Sequence, residues 1–315
     1  MRQFIKTHEQ VVNFYGESSN DTLTLAANYT LSNKPFSGMT LQKKKDELDK
    51  LLTKGMNKIY SFRGNFLDKN FVARFLIGNE SALDLEEFSI RVRKLIDAGF
   101  PKKSSTLQAA IYLTSYEGHA ERANELYQEM KKYRPFLTGI SDIPISVFIT
   151  QNLVLKSASV AKGMNDYYND LKGTFKQGKA LHQLSQLLVL WSPTYNEHAV
   201  LYITQLKLKL EKRKIRVNNK LYSLIGVLAL NELDDHIIDD VIHVYNALIN
   251  TKLLKSNKEI ALQIAIKKII QQIANETELI SNEAGLKLSD LVDFLTYAEA
   301  PIEISKFILD HIILD

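Results

Sequence analysis

The stretch Val92-Arg93-Lys94-Leu95-Ile96-Asp97-Ala98-Gly99-Phe100-Pro101 decides the fold. Read backwards from Gly99, the apolar residues Leu85, Phe88, Val92, Leu95 and Ile96 recur at helical spacing, so they share one face of an α-helix. Asp84, with Glu87 three residues on, has the form of a capping box at the helix start. Gly99 supplies the left-handed backbone on which many helices stop. Phe100 is then an apolar plug in the corner, and Pro101 cannot prolong the helix. Read forwards, Ser104 or Ser105 is expected to cap a second helix that carries Leu107, Ala110, Ile111 and Thr114 on one face.

The same phrase recurs along the chain. Ala123, Leu126, Tyr127 and Met130 lead to Phe136, after which Ser141 opens a helix with Ile145, Phe148 and Ile149. Val160, Met164, Tyr167, Tyr168 and Leu171 lead to Phe175, and Leu181, Leu184, Leu188 and Trp191 follow. Ala199, Ile203, Leu206 and Leu210 lead to Ile215, and Asn218 opens Leu221, Leu224, Ile225 and Leu228. Ile238, Val241, Tyr245 and Leu248 lead to Leu253, and Ser256 opens a helix through Ile260 and Ile264. The plugs Phe100, Phe136, Phe175, Ile215 and Leu253 stand 36, 39, 40 and 38 residues apart. A step back of 38 reaches Phe62, the mark of a degenerate earlier unit. A two-helix period in the high thirties predicts an all-α protein of stacked helical hairpins, an α-solenoid with a period of about 38 residues.

We divide the chain into N-terminal helices and a degenerate first repeat (1–79), hairpin repeats (80–272) and C-terminal capping helices (273–315), all in one continuous domain. In the first part, Asn20 or Asp21 is expected to cap a helix that Pro35 and Gly38 then interrupt.

Composition narrows the functional classes. The 315 residues carry 40 basic and 36 acidic side chains, a net charge of +4, which demands no polyanionic partner. Only nine of the cations are Arg, whereas planar, bidentate recognition of phosphate favours Arg over Lys. The absence of cysteine excludes disulfides, thiolate metal sites and Cys nucleophiles. The most apolar run, Leu224 to Leu230, is far short of the roughly 20 residues that span a bilayer. No apolar leader follows Met1, so a cytoplasmic protein without membrane contact is expected.

Charge is nevertheless ordered. Basic residues gather where each first helix ends, including Lys131, Lys132 and Arg134, then Lys209, Lys212, Arg213, Lys214 and Arg216. In a stack these turns would form one basic edge, a track for nucleic acid or an acidic peptide. The plainer account, which we prefer, is complementarity to the helix dipole, worth about 0.3–1 kcal/mol per charge. His236, Asp240 and His243 share a helix face and are the one metal-like set, but the apolar residues Ile238, Val241, Tyr245 and Leu248 point the other way. Tyr127, Tyr168 and Tyr245 fall at one repeat position among Leu and Met, and are read as core rather than as a base-stacking ladder. No phosphate-binding Gly-rich loop, nucleophile elbow or zinc-protease motif is present.

Several phrases resemble one family. Leu23, Ala26, Ala27, Tyr29 and Lys34-Pro35-Phe36, then Phe62-Arg63-Gly64-Asn65-Phe66, Leu95 to Phe100, and Leu126 to Lys132 are similar to the bacterial helical family known as domain of unknown function 4003. That resemblance covers most of the chain and implies a cytoplasmic bacterial protein of this length. It brings no catalytic residues with it. Ala123 to Pro135 also looks like part of a pentatricopeptide repeat, a class that reads single-stranded RNA, but no regular polar base-reading pair recurs here. The expectation is therefore a non-catalytic helical-repeat protein that binds a protein or peptide partner and takes no cofactor. RNA binding along the basic edge is the alternative, and a metal-dependent hydrolase using His236, Asp240 and His243 is the third reading.

Overall fold

The periodicity is realised as helix after helix in a computed structural model, which describes residues 2–50, 69–77, 85–151, 155–229, 235–276, 291 and 294. In order the helices are α1 (Arg2–Tyr15), α2 (Asn20–Leu31), α3 (Gly38–Lys50), α4 (Lys69–Ile77), α5 (Leu85–Asp97), α6 (Ser104–Ala110) and α7 (His119–Tyr133). Then follow α8 (Ile143–Ile149), α9 (Ser157–Leu171), α10 (Lys179–Leu188), α11 (Glu197–Lys212), α12 (Tyr222–Ala229), α13 (Asp235–Ile249) and α14 (Lys258–Glu276). Among the described residues there is no strand, so the fold is all-α.

Two layers follow from hydrophobicity. The odd-numbered helices are amphipathic and leave one face in water. Even-numbered α8 and α12 are buried at every position, so they need neighbours all round. Accordingly α6 packs on α8, α10 on α12, α12 on α14 and α2 on α4, while α7 packs on α9 and α9 on α11 in the outer layer. Phe75 of α4 meets Phe88 of α5 edge-on at 5.3 Å. A solenoid's two ends are remote from each other, but here α14 packs against α2, and the Gln271 amide donates to the Leu31 carbonyl at 2.7 Å. Among the described helices, α2 and α14 are thus joined directly although about 240 residues separate the bonded groups.

The corners obey the predicted chemistry with one shift of register. Gly99 has φ +103°, and Phe100 behind it is buried, with its N–H on the Leu95 carbonyl. Lys214 (φ 63°) and Asn33 (φ 52°) repeat that turn without glycine, with Ile215 N–H on Leu210 and Lys34 N–H on Tyr29. Phe175 and Ile215 are buried as expected, and Leu253 is half-buried. Phe136 is the exception, because it is 101 % exposed and Thr138 fills its corner at 4 %. With Thr138 as the plug, the first two spacings become 38 and 37, more even than the 36 and 39 read from the sequence. Pro135 and the Arg134 anchor described below turn the chain so that Phe136 points outward.

Some predicted caps also change. Ser19, not Asn20 or Asp21, caps α2 and forms a capping box with Thr22. Lys103 precedes α6 with no side-chain cap, so neither Ser104 nor Ser105 serves. A 3-10 turn (Ile140–Asp142) leads into α8 in place of a Ser141 cap, whereas Asn218 does accept from the Lys220 N–H at 3.1 Å. Asp84, Phe62 and most of the capping region after Glu276 lie outside the described residues. Of that region, Leu291 and Phe294 are described and buried. Phe294 stacks on Phe148 at 4.6 Å and lies 5.1 Å from the Tyr112 ring.

The short even-numbered helices expose carbonyls at their C-terminal ends, and side chains from the outer layer meet them. Arg91 donates to Ile111 O at 3.3 Å and Arg122 to Thr150 O at 3.3 Å. His119 links two units: its Nδ1 accepts from the Thr114 N–H at 3.1 Å, which leaves Nε2–H to donate to Val147 O at 3.0 Å. Both bonds suit the neutral imidazole, and burial lowers its pKa.

Candidate interaction surface

The basic edge is mostly engaged within the chain. Arg134 lies over the Tyr168 ring at 3.7 Å and donates to Asn165 Oδ1 at 2.9 Å and Asn169 Oδ1 at 2.8 Å. It fastens α7 to α9, and burial lowers its pKa. Lys131 sits over Tyr127 at 4.4 Å, and Lys132 pairs with Glu129. Arg213 forms an ion pair with Asp239 of α13. Lys209, Lys212, Lys214 and Arg216 are exposed. The predicted residues thus lie in two groups along the chain, in the last turn of α7 with the residue after it and in the last turns of α11 with the residues after it. In the α7 group, Arg134 reaches across to α9, whereas Lys131 and Lys132 are engaged within α7 itself.

Tyr127 and Tyr168 are buried, as the sequence implied, and Tyr245 is half-buried. His236, Asp240 and His243 are exposed on α13. Among the described residues, no group of three or more His, Asp or Glu side chains is arranged to hold a metal ion.

The α7–α8 corner combines features that the sequence reading did not connect. Tyr133, Phe136 and Ile140 are 42 %, 101 % and 50 % exposed, within eight residues of one another. The loop beneath them is tied down. Arg134 O accepts from the N–H groups of Leu137 (3.1 Å) and Thr138 (2.8 Å), and Lys179 Nζ donates to Leu137 O at 3.0 Å. Lys132, Lys172 and Lys176 are exposed on the helix end and the neighbouring turn. The signal for this corner was available as the one short spacing, 36, in an otherwise longer series.

Behind the loop lies a buried polar cluster. Asp142, 1 % exposed, accepts from Gly139 N–H at 2.8 Å and Gln186 Nε2 at 2.8 Å, and pairs with Lys179. The second amide hydrogen of Gln186 points at His182 Nε2, 3.0 Å away, and Thr138 Oγ1 is 3.3 Å from the same nitrogen. This network bridges the α8 and α10 ends. Burial pushes the His182 pKa down to about 4, against the opposing pull of Asp142. Its folded-state value is below its unfolded one, so unfolding takes up protons between about pH 6.5 and 4. Stability is complete above that window and falls as pH drops through it, with a slope of up to about 1.4 kcal/mol per pH unit from this group. The buried His8 and His119 add in the same direction. Urea melts at pH 7 and pH 4.5 are expected to show that loss, and His182→Leu should flatten part of it.

No described helix is long and apolar enough to cross a membrane. No solved structure matches the chain. A curated relative, the "Uncharacterized protein YeaA" of Bacillus subtilis (strain 168), is 24 % identical over 241 residues, covering 71 % of each chain. The model for the family described as "Protein of unknown function (DUF4003)" matches residues 13–293, so the chain belongs to that family.

Proposed function

We propose that this protein is a non-catalytic interaction protein that docks an acidic, apolar-anchored segment of a partner protein on the α7–α8 corner. The observation that carries the reading is Phe136, a large aromatic side chain fully in water on a loop held by Arg134, Lys179 and Asp142. Burying such a ring on binding recovers about 1.5–3 kcal/mol of hydrophobic free energy. A pre-held loop also loses little conformational entropy when it binds. Tyr133 and Ile140 widen the apolar contact, and the exposed ammonium groups of Lys172 and Lys176 select acidic neighbours.

A peptide-display library panned on the full chain tests this. The expected result is enrichment of peptides that place Asp or Glu beside an aromatic or aliphatic residue. Their binding should be lost in Phe136→Ala while its melting temperature stays put. Peptides that bind Phe136→Ala as well as the parent, or no enrichment, would overturn the reading. A labelled single-stranded RNA retained at low salt, and released steeply as salt rises regardless of Phe136, would favour the nucleic-acid alternative instead.

A further inference from the structure

We propose that the seam between the first and last described helices is a binding site for a small aliphatic monocarboxylate. A cleft of about 320 Å³ opens where α1 and α2 meet α13 and α14. That volume is at the lower end for small-molecule sites. Its floor is apolar, with Phe4, Leu31, Val244, Leu248 and Ile264. Its rim carries Lys268 and the amides of Gln3, Asn33 and Gln272, and its lining includes no acidic residue.

The charge of Lys268 is not spent on the fold. A lysine beside a helix C-terminus ordinarily answers the unpaired carbonyls there. At the end of α2 those carbonyls are already met: Asn28 O by the Ser32 N–H, Tyr29 O by Lys34, Thr30 O by Asn33 and Leu31 O by the Gln271 amide. Lys268 is exposed and makes no ion pair among the described residues. One cation, several amide donors and an apolar floor select an anionic head on a short hydrocarbon tail. A dianion or a phosphate would leave charge unmatched. Because the cleft joins residues about 240 apart in the chain, its ligand would tie α2 to α14.

Octanoate, octanol and octylamine are the probes, added to the full-length protein in thermal melts and isothermal titration. Octanoate at ten times its dissociation constant is expected to raise the melting temperature by about 2–4 °C. Octanol should bind at least tenfold more weakly, and octylamine should not bind. Lys268→Met removes the charge from an exposed position, and Thr30→Trp places an indole in the cleft from the α2 side. Each is expected to abolish the octanoate shift while melting as a folded protein on its own. Absence of a shift with octanoate, equal binding of octanol, or a shift retained in either variant overturns the proposal. A larger shift with acetyl-Leu-Leu than with octanoate does so as well, because it would identify a peptide carboxylate as the occupant.

Discussion

Phe175→Ala is expected to cost about 3–5 kcal/mol, whereas Phe136→Ala should leave stability within about 0.5 kcal/mol of the parent. Both residues occupy the corner position of the repeat phrase, and sequence spacing treats them alike. In the fold they differ completely. Phe175 is 2 % exposed and meets the Tyr222 ring edge-on at 4.9 Å, with Lys207 Nζ 5.8 Å from its ring centre. Removing it leaves a cavity between α9 and α12 that the surrounding helices cannot close, because each is pinned by its own neighbours. Removing the Phe136 ring takes away a group that touches water. Chemical denaturation of the two variants side by side checks the corner assignment. Equal losses would mean that Phe136 is a packing residue after all.

The second large effect is expected at Asp142. Asp142→Ala strips three donors of their shared acceptor: the Gly139 N–H, the Gln186 amide and the Lys179 ammonium. Breaking a fully buried ion pair commonly costs about 3–5 kcal/mol, because the partner is left charged and unpaired. Lys179 is 32 % exposed and can turn to water, so about 2–3 kcal/mol is expected here. The double variant Asp142→Leu with Lys179→Met should lose less than the single, since no stranded ammonium remains. A double variant at least as unstable as Asp142→Ala would show that the hydrogen bonds from Gly139 and Gln186, not the pairing with Lys179, set the role of this residue. The cluster also supports the Phe136 loop through Gly139. Asp142→Ala is thus expected to weaken peptide binding at the corner even where the protein stays folded.

The sequence by itself determined the local structure of this protein. Helical periodicity follows from which residues are apolar, and a helix stop follows from backbone preferences such as Gly99, and neither needs a distant partner. Hence Val92, Leu95, Tyr127, Tyr168 and Phe175 are buried as the spacing implies, and the all-α class was readable. The basic edge was legible as a charge pattern but not as chemistry. Whether Arg134 faces solvent or stacks on Tyr168 depends on a ring 34 residues away. Tertiary structure alone settled which of Phe136 and Thr138 turns inward, because one loop's path, fixed by Arg134 and Lys179, chooses between them. It alone assembled Asp142, His182 and Gln186, since hydrogen-bond partners across a seam leave no trace in periodicity. Most of all, it alone brought α2 and α14 together. The Gln271 amide and the Leu31 carbonyl stand 240 residues apart, and no local periodicity encodes a contact of that separation.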